Sequence, residues 1–201
     1  MDSMIFLRGA MLGFSIAAPV GPIGLLCIRR TLAEGRAAGF VSGLGAATAD
    51  AIYGLIAGLG LTAATQLLLQ FAGSIRLIGV LFLLYLAVRT MIAKPAEQEA
   101  QSSASGLARS YASTFLLTIT NPMTILSFAA AFSGLGLAAE NPTAARAIAL
   151  VFGVLCGSIT WWMMLSFGVG ILRHRFDVKR MIWVNHASGL LILCCALAIL
   201  F

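Results

Sequence analysis

Ala17-Ala18-Pro19-Val20-Gly21-Pro22 interrupts an apolar run that extends from about Met4 to Ile28 with Arg8 as its only charge. Two prolines and a glycine there would break a helix in water. Inside a bilayer, a broken helix survives only where neighbouring protein or a wet cavity satisfies the backbone groups that the break releases. Pro19 lacks the N–H that would bond the Ser15 carbonyl, and Pro22 the one that would bond Ala18, so two carbonyls are left for another partner. In membrane bundles that partner is often a cargo molecule or an ion. A packing kink is the structural alternative, because proline and glycine are common in membrane helices.

The rest of the chain extends this pattern. Of its 201 residues, 60% are apolar and only 10% charged, which excludes an ordinary soluble domain. Apolar runs of roughly 20 residues recur, each long enough to cross the hydrocarbon core. The fold class is therefore an all-α integral membrane protein in the lipid bilayer. Cutting at polar breaks gives six transmembrane helices, roughly 4–28, 37–62, 70–92, 110–136, 145–172 and 181–201. Asp2 rather than a basic cluster precedes the first run, which is read as a span and not as a secretory signal. The net charge of +6 would suggest nucleic acid in a soluble chain, but here it sits in loops, and no nucleic-acid partner is expected. Cys27, Cys156, Cys194 and Cys195 show no C-x-x-C spacing and read as small membrane-helix residues.

The stretch 93–108 holds Lys94, Pro95, Glu97, Gln98, Glu99, Gln101 and several serines, a composition that cannot bury a core and predicts a flexible cytoplasmic linker. It divides a single membrane domain into halves of three helices, 1–92 and 109–201. Arg29, Arg30, Arg36, Arg89, Lys94, Arg109, Arg173, Arg175, Lys179 and Arg180 fall on one side of this topology; Arg8, Arg76 and Arg146 lie on or near the other. The richer side is cytoplasmic, so both termini lie outside. The halves echo one another: Gly21-Pro22 in Asn121-Pro122, Gly45-x-x-Thr48 in Gly157-x-x-Thr160, and Gly79 in Gly189. Their common order predicts an inverted 3+3 repeat with interrupted first and fourth helices, whose unwound turns face each other near the midplane.

Asp50 is the single acid within the apolar interior; the other six fall in loops or at ends. An ionised aspartate at mid-membrane costs about 2.5 to 3.5 kcal/mol on insertion scales, so it normally faces a cavity or a partner. Burial disfavours its charged form, whereas an incoming cation favours it. Cargo and proton would then compete for one carboxylate, as a proton antiporter requires. The alternative is a structural aspartate bonded to hydroxyls such as Thr48 or Tyr53. Arg76 lies roughly 9 Å into the third span at helical rise, and either snorkels outward or turns inward toward Asp50 or a cargo carboxylate. Around Pro122 the fourth span carries Thr118, Thr120, Asn121, Thr124 and Ser127. That proline frees the Thr118 carbonyl, and the hydroxyls either repair the helix or line a cavity. Trp161 and Trp162 lie deep in the fifth span and suit core packing, while His174 and His186 flank the cytoplasmic loop without metal-ligand spacing. Small residues four apart at Gly9/Gly13, Gly35/Gly39/Gly43, Gly54/Gly58 and Gly153/Gly157 permit close helix approach. They hold helices of one chain together, or alternatively two copies as a homodimer.

The turn Pro19-Val20-Gly21-Pro22, the connection Arg30 to Gly39, the stretch Gly45 to Asp50, Tyr85-Leu86-Ala87-Val88-Arg89, Asn121-Pro122 and Ser188-Gly189 together resemble the lysine exporter family, LysE/RhtB. The resemblance covers nearly the whole chain. It implies a six-helix exporter of amino acids or related metabolites in the bacterial inner membrane, driven by the proton gradient without a cofactor. By that similarity Pro19, Gly21, Pro22, Asp50, Asn121 and Pro122 match the family's motif positions, and Arg76 falls where members often carry lysine. Two departures concern cargo identity: Ile23-Gly24 stands where Asn often follows Gly-Pro, and Ala49 replaces the small residue, often Gly, before the aspartate.

The leading expectation is a secondary transporter that exchanges an amino acid or similar zwitterion for protons at Asp50. A divalent metal-ion exporter is the rival, and a non-transporting membrane scaffold the reading of another class. One interior carboxylate and no membrane histidine make a poor cation cage, so no metal site is expected. Without a pair of membrane acids or a serine beside a buried histidine, an enzyme is not expected either.

Overall fold

The computed structural model describes residues 2–19, 21–58, 70–92, 104–121, 123–128, 144–172 and 178–200. All the regular structure among them is helical: α1 (Asp2–Ala17), α2 (Pro22–Glu34), α3 (Arg36–Gly58), α4 (Ala72–Met91), α5 (Ala104–Ile119), α6 (Ala144–Leu172) and α7 (Val178–Leu200), with a further helical stretch at 123–128. Three of these helices are long and apolar enough to cross a membrane, and a fourth crossing results if α1 and α2 count as one broken span bent by 79°. A shorter apolar helix covers Ile182–Ala198.

The first span differs from its expected bounds. Instead of ending at Ile28 before a basic loop, the chain turns at Pro19 to Gly21 and resumes as α2, which carries Arg29 and Arg30 within the helix as far as Glu34. Proline at the first helical position suits this restart, since its missing N–H is not needed there. The turn to α3 is Gly35 alone, whose φ of 101° is a conformation that side chains resist. The second half also begins earlier than expected: α5 starts at Ala104, inside the stretch read as linker, while 93–103 lie outside the described residues.

Backbone contact at glycines fixes how the helices run. A methyl group at Gly9 or Gly13 would strike the carbonyls of Leu150 and Val154, and one at Gly157 the carbonyl of Ala10, so α1 and α6 lie backbone to backbone in parallel. Gly45 faces Tyr111 and Phe115 in the same manner, Tyr111 Oη donates to Thr48 Oγ1, and Tyr53 Oη donates to the Ile119 carbonyl, which makes α3 and α5 a second parallel pair. The pairs meet antiparallel along α3 and α6, where Arg36 faces Gly170, Gly43 faces Trp162 and Gly54 faces Val154. The small-residue stripes at these positions thus pack within the chain.

The outer faces carry Met11, Leu81, Tyr85, Phe152, Met164 and Ile171, all more than half exposed or nearly so. The interior holds Ser42, Asp50, Thr114, Thr118, Ser158 and Asn185, all buried. That distribution suits a chain whose solvent is lipid, because the hydrocarbon accepts apolar side chains and polar ones turn inward. Several hydroxyls are satisfied along their own helix: Thr31, Ser42, Thr48, Thr114 and Thr118 each donate to the carbonyl four residues back.

Candidate functional site: a cavity between two broken turns

Where the two helix pairs meet, a cavity of about 320 Å³ opens among Pro19, Gly21, Pro22, Asp50, Thr118 and Asn121, which are six of the eight residues singled out in the sequence. Ile16, Ala17, Ile23, Gly24, Ala46, Met123, Thr124, Ser127 and Trp162 complete its wall. Pro122 lies outside the described residues. Arg76 is half-buried on α4 and is not among the lining residues; α4 instead backs both turns, with Gly79, Val80 and Leu83 bordering a void of about 10 Å³ beside Pro22, Ile23 and Asn121.

The turns are built alike. Ala18 N–H still bonds the Phe14 carbonyl, Gly21 N–H bonds the Pro19 carbonyl at 3.0 Å, and the Gly21 carbonyl accepts from Leu25 to open α2. In the second turn Thr120 N–H bonds Leu116, Asn121 N–H bonds the Thr118 carbonyl at 3.1 Å, and the Asn121 carbonyl accepts from Ile125. Asn121 Oδ1 also accepts from Met123 N–H, a side-chain cap that glycine cannot supply at Gly21. The carbonyl of Thr118, expected to be free, is therefore occupied by the residue just before Pro122. Two helix starts, at Pro22 and after Asn121, border the cavity, and the positive end of the α2 dipole suits a carboxylate there.

Asp50 supplies the opposite charge. Its carboxylate is 3% exposed and accepts from Ser158 Oγ at 2.7 Å, and Ser158 Oγ in turn accepts from Trp162 Nε1 at 3.1 Å. The local partners that a structural aspartate would have used are engaged elsewhere: Thr48 bonds the Leu44 carbonyl and Tyr53 the Ile119 carbonyl. Trp162 is buried against Gly43 and forms one wall, while Trp161 meets Phe14 edge to face at 5.5 Å. His186 is exposed, with Nδ1 2.8 Å from the Ile182 carbonyl, and His174 lies outside the described residues.

Sequence reasoning missed Ser158 and the side chains around Arg30. The position of Ser158 was readable as a hydroxyl inside the Gly157-x-x-Thr160 motif, although its partner is distant in sequence. Arg30 was counted as a loop charge. Its signal was the helical spacing of Ile23, Leu26, Cys27, Arg30 and Thr31 on one side of a helix. On the facing helix Ser110, Thr114 and Thr118 form a hydroxyl stripe with the same four-residue period.

Apolar outer faces around a polar cavity and a buried carboxylate fit a multi-pass membrane protein. Comparison with known proteins narrows this class. Residues 14–201 match the LysE type translocator family, and the chain belongs to it. It is 26% identical over 193 residues, 94% of this chain and 91% of the relative, to the "Putative amino acid efflux protein YcgF" of Bacillus subtilis (strain 168). It is also 34% identical over 157 residues, 74% of this chain and 68% of the relative, to the "Uncharacterized membrane protein YahN" of Escherichia coli (strain K12). No solved structure matches the chain.

Proposed function

We propose that this translocator exports an amino acid or a similar small zwitterion in exchange for protons, with Asp50 as the carboxylate that cargo and proton occupy in turn. The observation that carries the reading is the burial of Asp50 in the wall of a cavity bounded by both broken turns. A zwitterion suits this cavity. Its ammonium group would pair with Asp50, and its carboxylate with the helix starts after Gly21 and Asn121. Protonation of Asp50 removes the partner of the ammonium group and favours release. The proton gradient supplies the energy and no cofactor takes part. Amino acid efflux in the name of the Bacillus relative agrees with this cargo.

The proposed frame is six spans in an inverted 3+3 repeat, in the inner membrane of a bacterium, with both termini outside. Two mirrored contacts support it. Gly45 of α3 rests on Tyr111 and Phe115 of α5, and Gly157 of α6 rests on Ala10 and Phe14 of α1. The glycines differ in number by 112 and both of their partner pairs by 101, the relation expected if each half lends its first helix to the other's middle one.

The test is flux in proteoliposomes with and without a pH gradient, offering amino acids and divalent ions to the wild type and Asp50→Asn. We expect amino acid movement that the gradient accelerates and that the variant loses. Wild-type flux and coupling in Asp50→Asn would overturn the mechanism. Metal-dependent flux indifferent to amino acids would overturn the cargo.

A further inference from the structure

Beyond the cavity, toward the Gly35 end of the bundle, α2 brings a second ionisable side chain into the interior. Arg30 is 7% exposed. Its Nη1 donates to Ser42 Oγ, the Ser110 carbonyl and Thr114 Oγ1, each at 2.9 Å, and its Nη2 donates to Ser113 Oγ at 2.7 Å. Ser42 lies two turns before Asp50 on α3. Thr114 lies one turn before Thr118 on α5, and Thr118 lines the cavity. The guanidinium thus lies one to two turns from the cavity's lining residues and ties α2 to one helix from each half.

Three features make this closure releasable. First, the four acceptors are neutral oxygens, a carbonyl and three hydroxyls whose protons are already used: Ser42 donates to the Ala38 carbonyl, and Ser113 and Thr114 to that of Ser110. Arg30 takes only their lone pairs, so its departure strands no buried donor. Second, α2 is a short rod with glycine at both ends. A methyl group at Gly21 would meet nothing within 4 Å, and Gly35 holds a positive φ. The other tie of its basic pair is Arg29 Nε to Asn185 Oδ1 at 2.9 Å, on α7. Third, Ser166 Oγ, one turn beyond Trp162 on α6 and on this same side of the cavity, is buried without a hydrogen-bond partner among the described residues. A buried hydroxyl left unpaired is better satisfied when its surroundings are wet, so it favours the opened arrangement.

We propose that α2 is the cytoplasmic gate of the transport path and that Arg30 is its latch, released when the cavity loads from the cytoplasm. The inference rests on the transport reading above for its purpose, but not on the identity of the cargo. Arg30 is a positioning residue: it touches helices and not the solute.

The test reads access to the cavity from each side. Thr124→Cys, on the cavity wall, is introduced with Cys27, Cys156, Cys194 and Cys195 changed to alanine. Inside-out and right-side-out membrane vesicles are then treated with a membrane-impermeant maleimide and no cargo. Adding Arg30→Gln should raise the labelling rate from the cytoplasmic side by about ten-fold and leave the outer side within about two-fold, as a shift toward an inward-open population requires. Arg30→Lys, a point charge without the planar fork, should fall between wild type and Arg30→Gln. Ser113→Ala with Thr114→Val removes two acceptors while keeping the arginine, and should shift labelling the same way. This pair decides the matter if Arg30→Gln does not reach the membrane. Unchanged labelling overturns the proposal, and so does an equal rise from both sides, which marks a loosened bundle and not a gate. Because no cargo is present, failure of amino acid flux in proteoliposomes leaves this result standing, and the converse also holds.

Discussion

Toward one end of the cavity Tyr53, Phe128, Leu12, Ile125, Leu150 and Val154 meet in an apolar cluster, and toward the other Arg30 is held by three hydroxyls and a carbonyl. Both closures draw on both halves of the chain, yet they hold by different means. The Tyr53 end is shape-matched packing: the rings of Tyr53 and Phe128 lie 5.5 Å apart, and any opening exposes apolar surface all at once. The Arg30 end is a set of separate polar contacts, which water can replace one at a time. One end is built to be stable and the other to be undone. The difference teaches that burial alone does not tell how firmly a path is shut.

Phe128→Ala should give the largest effect, lowering stability by about 3 to 5 kcal/mol, because the cluster cannot close over the missing ring. Thermal melting of the detergent-purified protein measures it; a loss below about 1 kcal/mol would erase the contrast between the ends. Asp50→Asn, at the level between them, should cut cargo exchange about a hundred-fold and flatten its dependence on pH, while the melting temperature stays near wild type. The amide oxygen can still accept from Ser158 Oγ, so the fold keeps its bond and only the exchangeable charge is lost. Arg30→Met should change stability by no more than about 1 kcal/mol in either direction, since replacing a buried ion by an apolar chain of similar length is often neutral. A loss comparable to that of Phe128→Ala would show that the Arg30 end is structural after all. The smallest effect belongs to Tyr111→Phe, whose lost neutral bond to Thr48 Oγ1 should lower stability by about 0.5 kcal/mol without side-selective change in maleimide labelling.

What could be read in advance follows the range over which each cause acts. The break at Pro19 to Pro22 and the exceptional standing of Asp50 are local facts: proline lacks a donor wherever it sits, and one acid in an apolar run has no local excuse. Their convergence on one cavity followed from the span order. Asp50's actual partner, Ser158, lies 108 residues away, and no local spacing points to it. The same holds for Arg30, whose acceptors on α5 are 80 to 84 residues distant. Treating its charge as a mark of water ended the first span too soon, because hydroxyls from elsewhere in the chain did what water would have done. Arg76 shows the converse difficulty. Its depth was legible, but which way it turned depended on neighbours that the sequence does not name.

The glycine contacts of α1 on α6 and of α3 on α5 leave no room for side chains between the backbones, so each pair resists sliding internally. Relative displacement of the two rigid beams must then be taken up along the α3 and α6 seam. The bond from Ser158 to Asp50 spans that seam. In the proposed cycle, whatever binds the carboxylate therefore acts on the seam between the two beams, so chemistry and movement share a single hydrogen bond.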